Sequence, residues 1–160
     1  MRLSHFSAIL VSGFIWFGVG VFLLTKGLTF VLLAARIEGI SSSMMNELAA
    51  ITKGKEQAGT FLIIIGLTLG YLKSRFVLQK SAKRVVGRIL SLPNPANIFQ
   101  IYSLSYCFLI LSMVALGIGM KWMHLNYDLR GVIDVFIGSA LMNGSLAYFR
   151  LAFEARRQRT

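Results

Sequence analysis

The chain has 160 residues, of which 56% are hydrophobic and 14% are charged, and its formal net charge is +11. A typical soluble domain is about 45–50% apolar and about 25% charged. With a mean hydropathy of +0.68, this composition excludes a soluble globular enzyme, a disordered chain and a water-exposed nucleic-acid-binding protein, and it predicts an all-α integral membrane protein.

Four segments are long and apolar enough to cross a bilayer, which takes about 20 residues at a rise of 1.5 Å per residue. The predicted spans are residues 6–35, 58–78, 98–120 and 131–153. They form a four-transmembrane-helix bundle that makes residues 1–160 a single membrane domain. Between the first two spans, the apolar residues Met44, Met45, Leu48 and Ile51 recur at helical spacing, which predicts a short amphipathic helix on the membrane surface.

The distribution of basic residues predicts the orientation. With four spans, eleven of the seventeen basic residues fall on the side of the two termini and of the loop after the second span, and five fall on the other side. The positive-inside rule then places both termini in the cytoplasm. We therefore expect a multi-pass protein of the plasma membrane, which for a bacterial chain is the inner membrane, with its charge excess facing anionic headgroups.

The segment after the second span, residues 73–97, is both basic and amphipathic. Its apolar residues recur at the spacing of one helix face, namely Leu78, Ala82, Val85, Val86, Ile89 and Leu90. Its basic residues are Lys73, Arg75, Lys80, Lys83, Arg84 and Arg88, and the last four fall largely on the other sides of the helix. The pattern predicts a cytoplasmic helical extension of the second span that buries its apolar face in the headgroup region. Alternatives are a docking surface for a cytoplasmic partner protein or a specific lipid and, less simply, contact with nucleic acid, which we do not expect.

Two ionisable residues fall within the apolar runs, where such groups are costly and point to function. Lys26 lies near the outer end of the first span, and Asp134 lies near the outer end of the fourth. Since an opposite charge offsets desolvation, we expect these two residues to pair. The pair either locks the two helices together or belongs to a pathway for an ion or solute; the alternative to pairing is that Lys26 extends outward to the membrane surface. Asn143 lies deeper, where an amide usually hydrogen-bonds a neighbouring helix; the alternative is that it lines a polar cavity.

Small residues four positions apart mark helix contacts. The second span contains Gly66-x-x-x-Gly70, and the later spans contain Ala115-x-x-x-Gly119 and Ala140-x-x-x-Gly144. The motifs predict close packing, either within the bundle or between two copies of the chain.

No sequence motif points to an enzyme, since the chain lacks GxSxG, HExxH, GxxxxGK[ST] and GxGxxG. The two histidines are isolated and there is a single cysteine, Cys107, so we expect no catalytic residue, no cofactor and no metal site. The expected role is that of a structural, accessory or assembly factor whose basic face meets lipid or a partner protein. The alternative is a small transporter or channel subunit that uses Lys26, Asp134 and Asn143.

Overall fold

A computed structural model gives the fold of the chain. It describes residues 2–37, 43–91, 96–97, 111, 115 and 117–157. The helices are α1 (His5–Arg36), α2 (Ser43–Thr52), α3 (Lys55–Lys73), a π-helical segment (Ser74–Leu78), α4 (Gln79–Ser91) and α5 (Tyr127–Arg157). Residues 117–122 are also helical. The remaining regular structure in the described ranges is an antiparallel pairing of two two-residue strands, β1 (Arg2–Leu3) and β2 (Ala96–Asn97).

The all-α prediction is confirmed for the described residues, which include three helices long and apolar enough to span a membrane. These are His5–Arg36, Lys55–Ser91 and Tyr127–Arg157. They cover the first, second and fourth predicted spans. The third, residues 98–120, lies largely outside the described residues.

The exterior of the bundle is apolar over a length that matches a bilayer. Large exposed apolar side chains run from Val11 to Leu33 on α1, and from Phe61 to Val77 on α3 and the π-helical segment. At 1.5 Å per residue these stretches measure about 33 Å and about 24 Å, close to the hydrocarbon thickness of about 30 Å. The helices are therefore compatible with insertion into a membrane.

Helices α1 and α5 are antiparallel and approach until their backbones touch. The glycines of α1 that line this contact are seven residues apart, at Gly13, Gly20 and Gly27, and those of α5 are Gly131 and Gly138. A Cβ on Gly27 would lie 2.6 Å from the Val135 nitrogen, and one on Gly138 would lie 2.5 Å from the Leu24 nitrogen. A seven-residue period keeps one face of a helix against an antiparallel partner, so these glycines fix the register of α1 on α5.

Helix α3 packs on α5 through the predicted Gly66-x-x-x-Gly70 motif. A Cβ on Gly66 would lie 3.0 Å from Val135 Cγ1, and one on Gly70 would lie 2.6 Å from the Phe136 carbonyl oxygen. At the same contact Ser139 Oγ donates a hydrogen bond to the Leu67 carbonyl oxygen at 3.2 Å. The motif therefore serves packing within the bundle, one of the two alternatives that the sequence left open.

The other two small-residue motifs differ from each other. Gly144 packs on Leu78, whose Cβ would lie 3.1 Å from an added Cβ, and Ala140 is buried. A Cβ on Gly119 would have open space around it, so this glycine makes no close helix contact to any described residue.

Helices α3 and α4 form one continuous helix of 37 residues, Lys55–Ser91. Most of its buried residues are spaced four positions apart, at Ala58, Leu62, Gly66, Gly70 and Ser74 and again at Ala82 and Val86. In a straight α-helix each step of four residues drifts by about 40° around the axis. The π-helical segment, where the Gln79 N–H donates to the Ser74 carbonyl oxygen, inserts a wider turn that counters this drift.

The α4 apolar face packs on protein where the sequence predicted contact with lipid headgroups. Ala82, Val86 and Ile89 are buried in a protein core with Ile9, Trp16, Leu141 and Tyr148, so the predicted cover is wrong for these three residues. The reason is that α1 and α5 are longer than α3. Their ends next to α4 offer an apolar surface, and packing on it removes the α4 face from water without help from lipid. Of the other predicted face residues, Leu78 and Val85 are partly buried and Leu90 is 38% exposed.

Helix α2 is also packed on the bundle. The predicted helix is present, and Met45 is fully buried in a second core with Val31, Ala34, Ala58 and Leu62. Protein and not lipid covers this residue, whereas Met44 and Ile51 of the predicted face are 38% and 81% exposed. The Met45 N–H donates to Asp128 Oδ2 at 2.9 Å. A buried carboxylate at the start of α5 thus accepts a hydrogen bond from the first turn of α2, as a capping residue does.

Candidate functional site

The predicted pair of Lys26 and Asp134 is present. Lys26 Nζ lies 3.1 Å from Asp134 Oδ2, with the lysine side chain 29% exposed and the aspartate 2% exposed. The glycine contact brings them together, since an added Cβ on Gly27 would lie 2.9 Å from Asp134 Cβ. Asp134 Oδ2 has no hydrogen-bond partner among the described residues, so the contact with Lys26 Nζ compensates its negative charge. The pairing is confirmed; its functional role stays a prediction.

Aromatic and cationic groups surround this pair. Lys26 Nζ lies 5.5 Å from the centroid of the Phe30 ring, and the Arg130 guanidinium lies 5.0 Å from the same centroid. Both distances are within the range of cation–π attraction. The arrangement places two cations against the same aromatic ring beside the ion pair.

A cavity of about 280 Å³ opens beside the ion pair. It is lined by Lys26, Asp134, Lys73 and mostly apolar side chains such as Leu23 and Ile137. Lys73 Nζ lies 4.9 Å from the centroid of the Phe136 ring. The cavity therefore has two cations and one anion in an otherwise apolar lining.

Asn143 does not line this cavity, and among the described residues its amide bonds its own helix and not the neighbouring one that the sequence predicted. Its Nδ2 donates to the Ser139 carbonyl oxygen at 2.9 Å, which is on its own helix and not on a neighbour. The position four residues earlier is the nearest acceptor that a side chain can reach on the same helix face. Asn143 lines a separate cavity of about 500 Å³ between the π-helical segment and α5, so the three polar residues expected to form one site belong to two.

The six predicted basic residues Lys73, Arg75, Lys80, Lys83, Arg84 and Arg88 are all exposed, but they do not form one cluster. Lys73 lines the cavity of the ion pair, and Arg75 and Lys83 line the cavity of Asn143. The other three, Lys80, Arg84 and Arg88, line neither of these two cavities. They lie on the outer side of α4, opposite its buried face.

Four residues at these sites were not singled out from the sequence. Arg150, Glu154 and Ser74 line the cavity of Asn143, and Asp128 holds the start of α2. Arg150 and Glu154 lie four residues apart, on one helix face with Asn143, and that spacing was a usable signal. Nothing in the local sequence marks Ser74 or Asp128, because each acts through a contact distant along the chain.

Within the described residues, no group of three or more His, Cys, Asp or Glu side chains is placed to hold a metal ion. Cys107 lies outside those residues. Comparison with protein-family models, with curated proteins and with solved structures gives no match to this chain. Its function is therefore inferred from the two cavities and the basic face.

Proposed function

We propose that the chain is an accessory or assembly protein of the bacterial inner membrane, with four spans and both termini in the cytoplasm. In this role its basic face contacts anionic lipid headgroups and a partner protein. The observation that carries the proposal is the division of α4 into a buried apolar face and an exposed basic one. Because the apolar face is already packed on α1 and α5, the basic face is held outward in a fixed position.

The length of α3 supports this placement. The helical stretch from Lys55 to Lys73 rises about 27 Å, which nearly matches the hydrocarbon core. The helix then continues for another 18 residues to Ser91, or about 27 Å. If α3 crosses the bilayer, most of α4 extends beyond the hydrocarbon, and its lysines and arginines reach the headgroups and the cytoplasm.

The interior supports a structural role. Backbone-to-backbone contact along α1 and α5, a second glycine contact to α3 and an ion pair between α1 and α5 all fix the relative positions of the helices. An accessory protein that presents a surface benefits from such a rigid frame, since the bound arrangement is formed before the partner arrives.

The test measures how anionic lipid stabilises the full chain. The protein is placed in nanodiscs of phosphatidylcholine with increasing phosphatidylglycerol, and its thermal unfolding is followed. We expect the melting temperature to rise with the anionic fraction, and the rise to shrink in a Lys80→Gln, Arg84→Gln, Arg88→Gln variant. A matched variant, Lys53→Gln, Lys55→Gln, Lys121→Gln, removes the same charge at the opposite end of the bundle. No response to phosphatidylglycerol, or an equal loss in both variants, contradicts the proposal.

The cavity beside Lys26 and Asp134 favours a second function, that of a small transporter or channel subunit. Its support is a buried carboxylate facing a cavity in an apolar bundle, an arrangement found along ion pathways. In proteoliposomes that contain a pH-sensitive dye, this function predicts proton flux above that of empty vesicles and loss of the flux in Asp134→Asn. Flux equal to that of empty vesicles rules out proton transport.

A further inference from the structure

The second cavity, which we call the π-turn cavity, lies where the π-helical segment and the start of α4 face the C-terminal half of α5. Its volume is about 500 Å³, and its polar lining includes Ser74, Arg75, Lys83, Asn143, Arg150 and Glu154. Pockets that bind small molecules have volumes of about 300–1,000 Å³. The cavity is therefore of a size that accepts more than an ordered water molecule.

Ser74 provides an unsatisfied donor in this cavity. The residue is 1% exposed, and its Oγ has no hydrogen-bond partner among the described residues. A buried hydroxyl without a partner is unfavourable, and native proteins rarely retain one without a reason. Ser74 is also the first residue of the π-helical segment, and single π-turns within α-helices occur often at functional sites.

The charges of the cavity are unbalanced. Arg75, Lys83 and Arg150 contribute three positive charges and Glu154 one negative charge. None of the three cations forms an ion pair with Glu154 or with another described residue. The lining therefore carries a net charge of about +2, and guanidinium groups in particular suit the paired oxygens of a phosphate.

The lining also contains apolar side chains that reach the exterior of the bundle. Tyr71 and Leu146 line the cavity and are 49% and 45% exposed. Lys83 and Arg150 line the same cavity. A ligand that fits this lining has an anionic group and an apolar portion that continues along the exterior of the bundle.

We infer that the π-turn cavity binds the headgroup of one anionic phospholipid. The phosphodiester contacts Lys83, Arg150 and Arg75, the Ser74 hydroxyl supplies a neutral donor, and the acyl chains lie along the apolar exterior past Leu146. This inference rests on the proposed function, because it assumes that this end of the bundle faces an anionic membrane surface. The inference adds one specific lipid-binding site to the basic face, which by its charge alone attracts anionic headgroups without selecting a position for them.

The test uses the full chain in a zwitterionic detergent-lipid mixture and counts lipid bound per protein by native mass spectrometry. The probes are phosphatidylglycerol, phosphatidylcholine and inorganic phosphate. We expect one phosphatidylglycerol to bind more tightly than phosphatidylcholine, and phosphate alone to bind far more weakly because it lacks the apolar contact. In Lys83→Gln, Arg150→Gln the affinity for phosphatidylglycerol is expected to fall about 30-fold. The control Lys53→Gln, Lys121→Gln removes the same charge at the opposite end of the bundle and is expected to change it less than threefold.

A second variant separates a binding role from a structural one. Ser74→Ala removes the unsatisfied hydroxyl without altering charge, so the lipid-free protein is expected to melt at the same temperature or higher. The same change is expected to weaken phosphatidylglycerol binding about tenfold. A residue with only a packing role lowers the melting temperature and leaves lipid binding unchanged, and that result overturns the inference.

The remaining outcomes distinguish the two proposals. If phosphatidylglycerol binds more tightly than phosphatidylcholine but Lys83→Gln, Arg150→Gln leaves its affinity unchanged, the defined site is wrong while the proposed anionic-lipid face stands. If inorganic phosphate binds as tightly as phosphatidylglycerol, the cavity is a phosphate site and the lipid inference is overturned. If phosphatidylglycerol and phosphatidylcholine bind alike, the proposed function fails together with the site.

Discussion

Replacing Gly138 by alanine tests the closest helix contact that a described glycine makes. The added Cβ would lie 2.5 Å from the Leu24 nitrogen, 2.8 Å from the Gly20 carbonyl oxygen and 2.9 Å from Leu24 Cα. All three are backbone atoms, so no side chain can turn away to make room. Restoring an ordinary carbon contact of about 3.5 Å requires α1 and α5 to separate by about 1 Å.

The expected loss of stability follows from this separation. Overpacking in a well-packed core costs about 1–3 kcal/mol, and here the shift also loosens the neighbouring contact at Gly20. Alanine has a higher helix propensity than glycine by about 1 kcal/mol, which acts in the opposite direction. A control with the same propensity gain is Gly18→Ala, because nothing lies within 4 Å of a Cβ at that position. We expect Gly138→Ala to be about 2 kcal/mol less stable than Gly18→Ala.

The assay is reversible unfolding in mixed micelles, with increasing sodium dodecyl sulfate and with helix content followed by circular dichroism. Both variants and the unaltered chain are measured under the same conditions. The error of extrapolating the free energy of unfolding to zero sodium dodecyl sulfate is then common to all three and cancels in their differences. If Gly138→Ala lies within about 0.5 kcal/mol of Gly18→Ala, a difference no larger than that of an ordinary surface change, the close approach of α1 and α5 is wrong.

Two further predictions concern polar contacts between helices. For the ion pair, Lys26→Met alone leaves the Asp134 carboxylate buried without its partner, so this single change is expected to destabilise the fold more than Lys26→Met combined with Asp134→Leu. A double-mutant cycle measures the coupling free energy between the two residues: about 0.5–3 kcal/mol agrees with the pair, and additive effects contradict it. At the start of α2, Asp128→Ala is expected to lower the free energy of unfolding by about 1 kcal/mol and to speed hydrogen exchange at the Met45 amide, and Asp128→Asn, which keeps an acceptor oxygen, is expected to lower it less. Equal exchange rates in the two variants argue against the capping contact.

Hydropathy and charge patterns identified much of the fold because they depend on one helix at a time. The apolar runs that predicted the first, second and fourth spans correspond to α1, α3 and α5. Of the six residues predicted for the apolar face of α4, Ala82, Val86 and Ile89 are buried and Leu90 is exposed. The sequence pattern does not show whether lipid or protein covers an apolar helix face, since the spacing of the apolar residues is the same in both cases.

The ion pair of the candidate site could be predicted from the sequence, because a buried lysine and a buried aspartate at the same depth are each stabilised by the other's charge. Lys26 and Asp134 could be placed at a common level from the lengths of two antiparallel spans, and they are in contact. The π-turn cavity could not be predicted in this way. It depends on where α4 lies against α5, and that position follows from a change of helix type after Gly70 that no sequence period reveals.

The glycines that form the contact between α1 and α5 can be seen in the sequence, but they are seven residues apart and not four. A search for small residues four apart finds Gly66 and Gly70, which do pack as expected. The glycines at 13, 20 and 27 are seven apart, as are those at 131 and 138. Antiparallel helices that meet at a small angle need a small residue once in each seven-residue repeat.

The orientation of the α3–α4 helix in the membrane is the most direct test of the proposed function. In a Cys107→Ser background, single cysteines replace Gln57 and Ser91, which are exposed, uncharged residues near the two ends of that helix. They are probed with a membrane-impermeant maleimide in spheroplasts before and after permeabilisation. The proposed topology predicts that Gln57→Cys reacts in sealed spheroplasts and that Ser91→Cys reacts only after permeabilisation. Reaction of Ser91→Cys in sealed spheroplasts places the basic face outside the cell and contradicts the proposal.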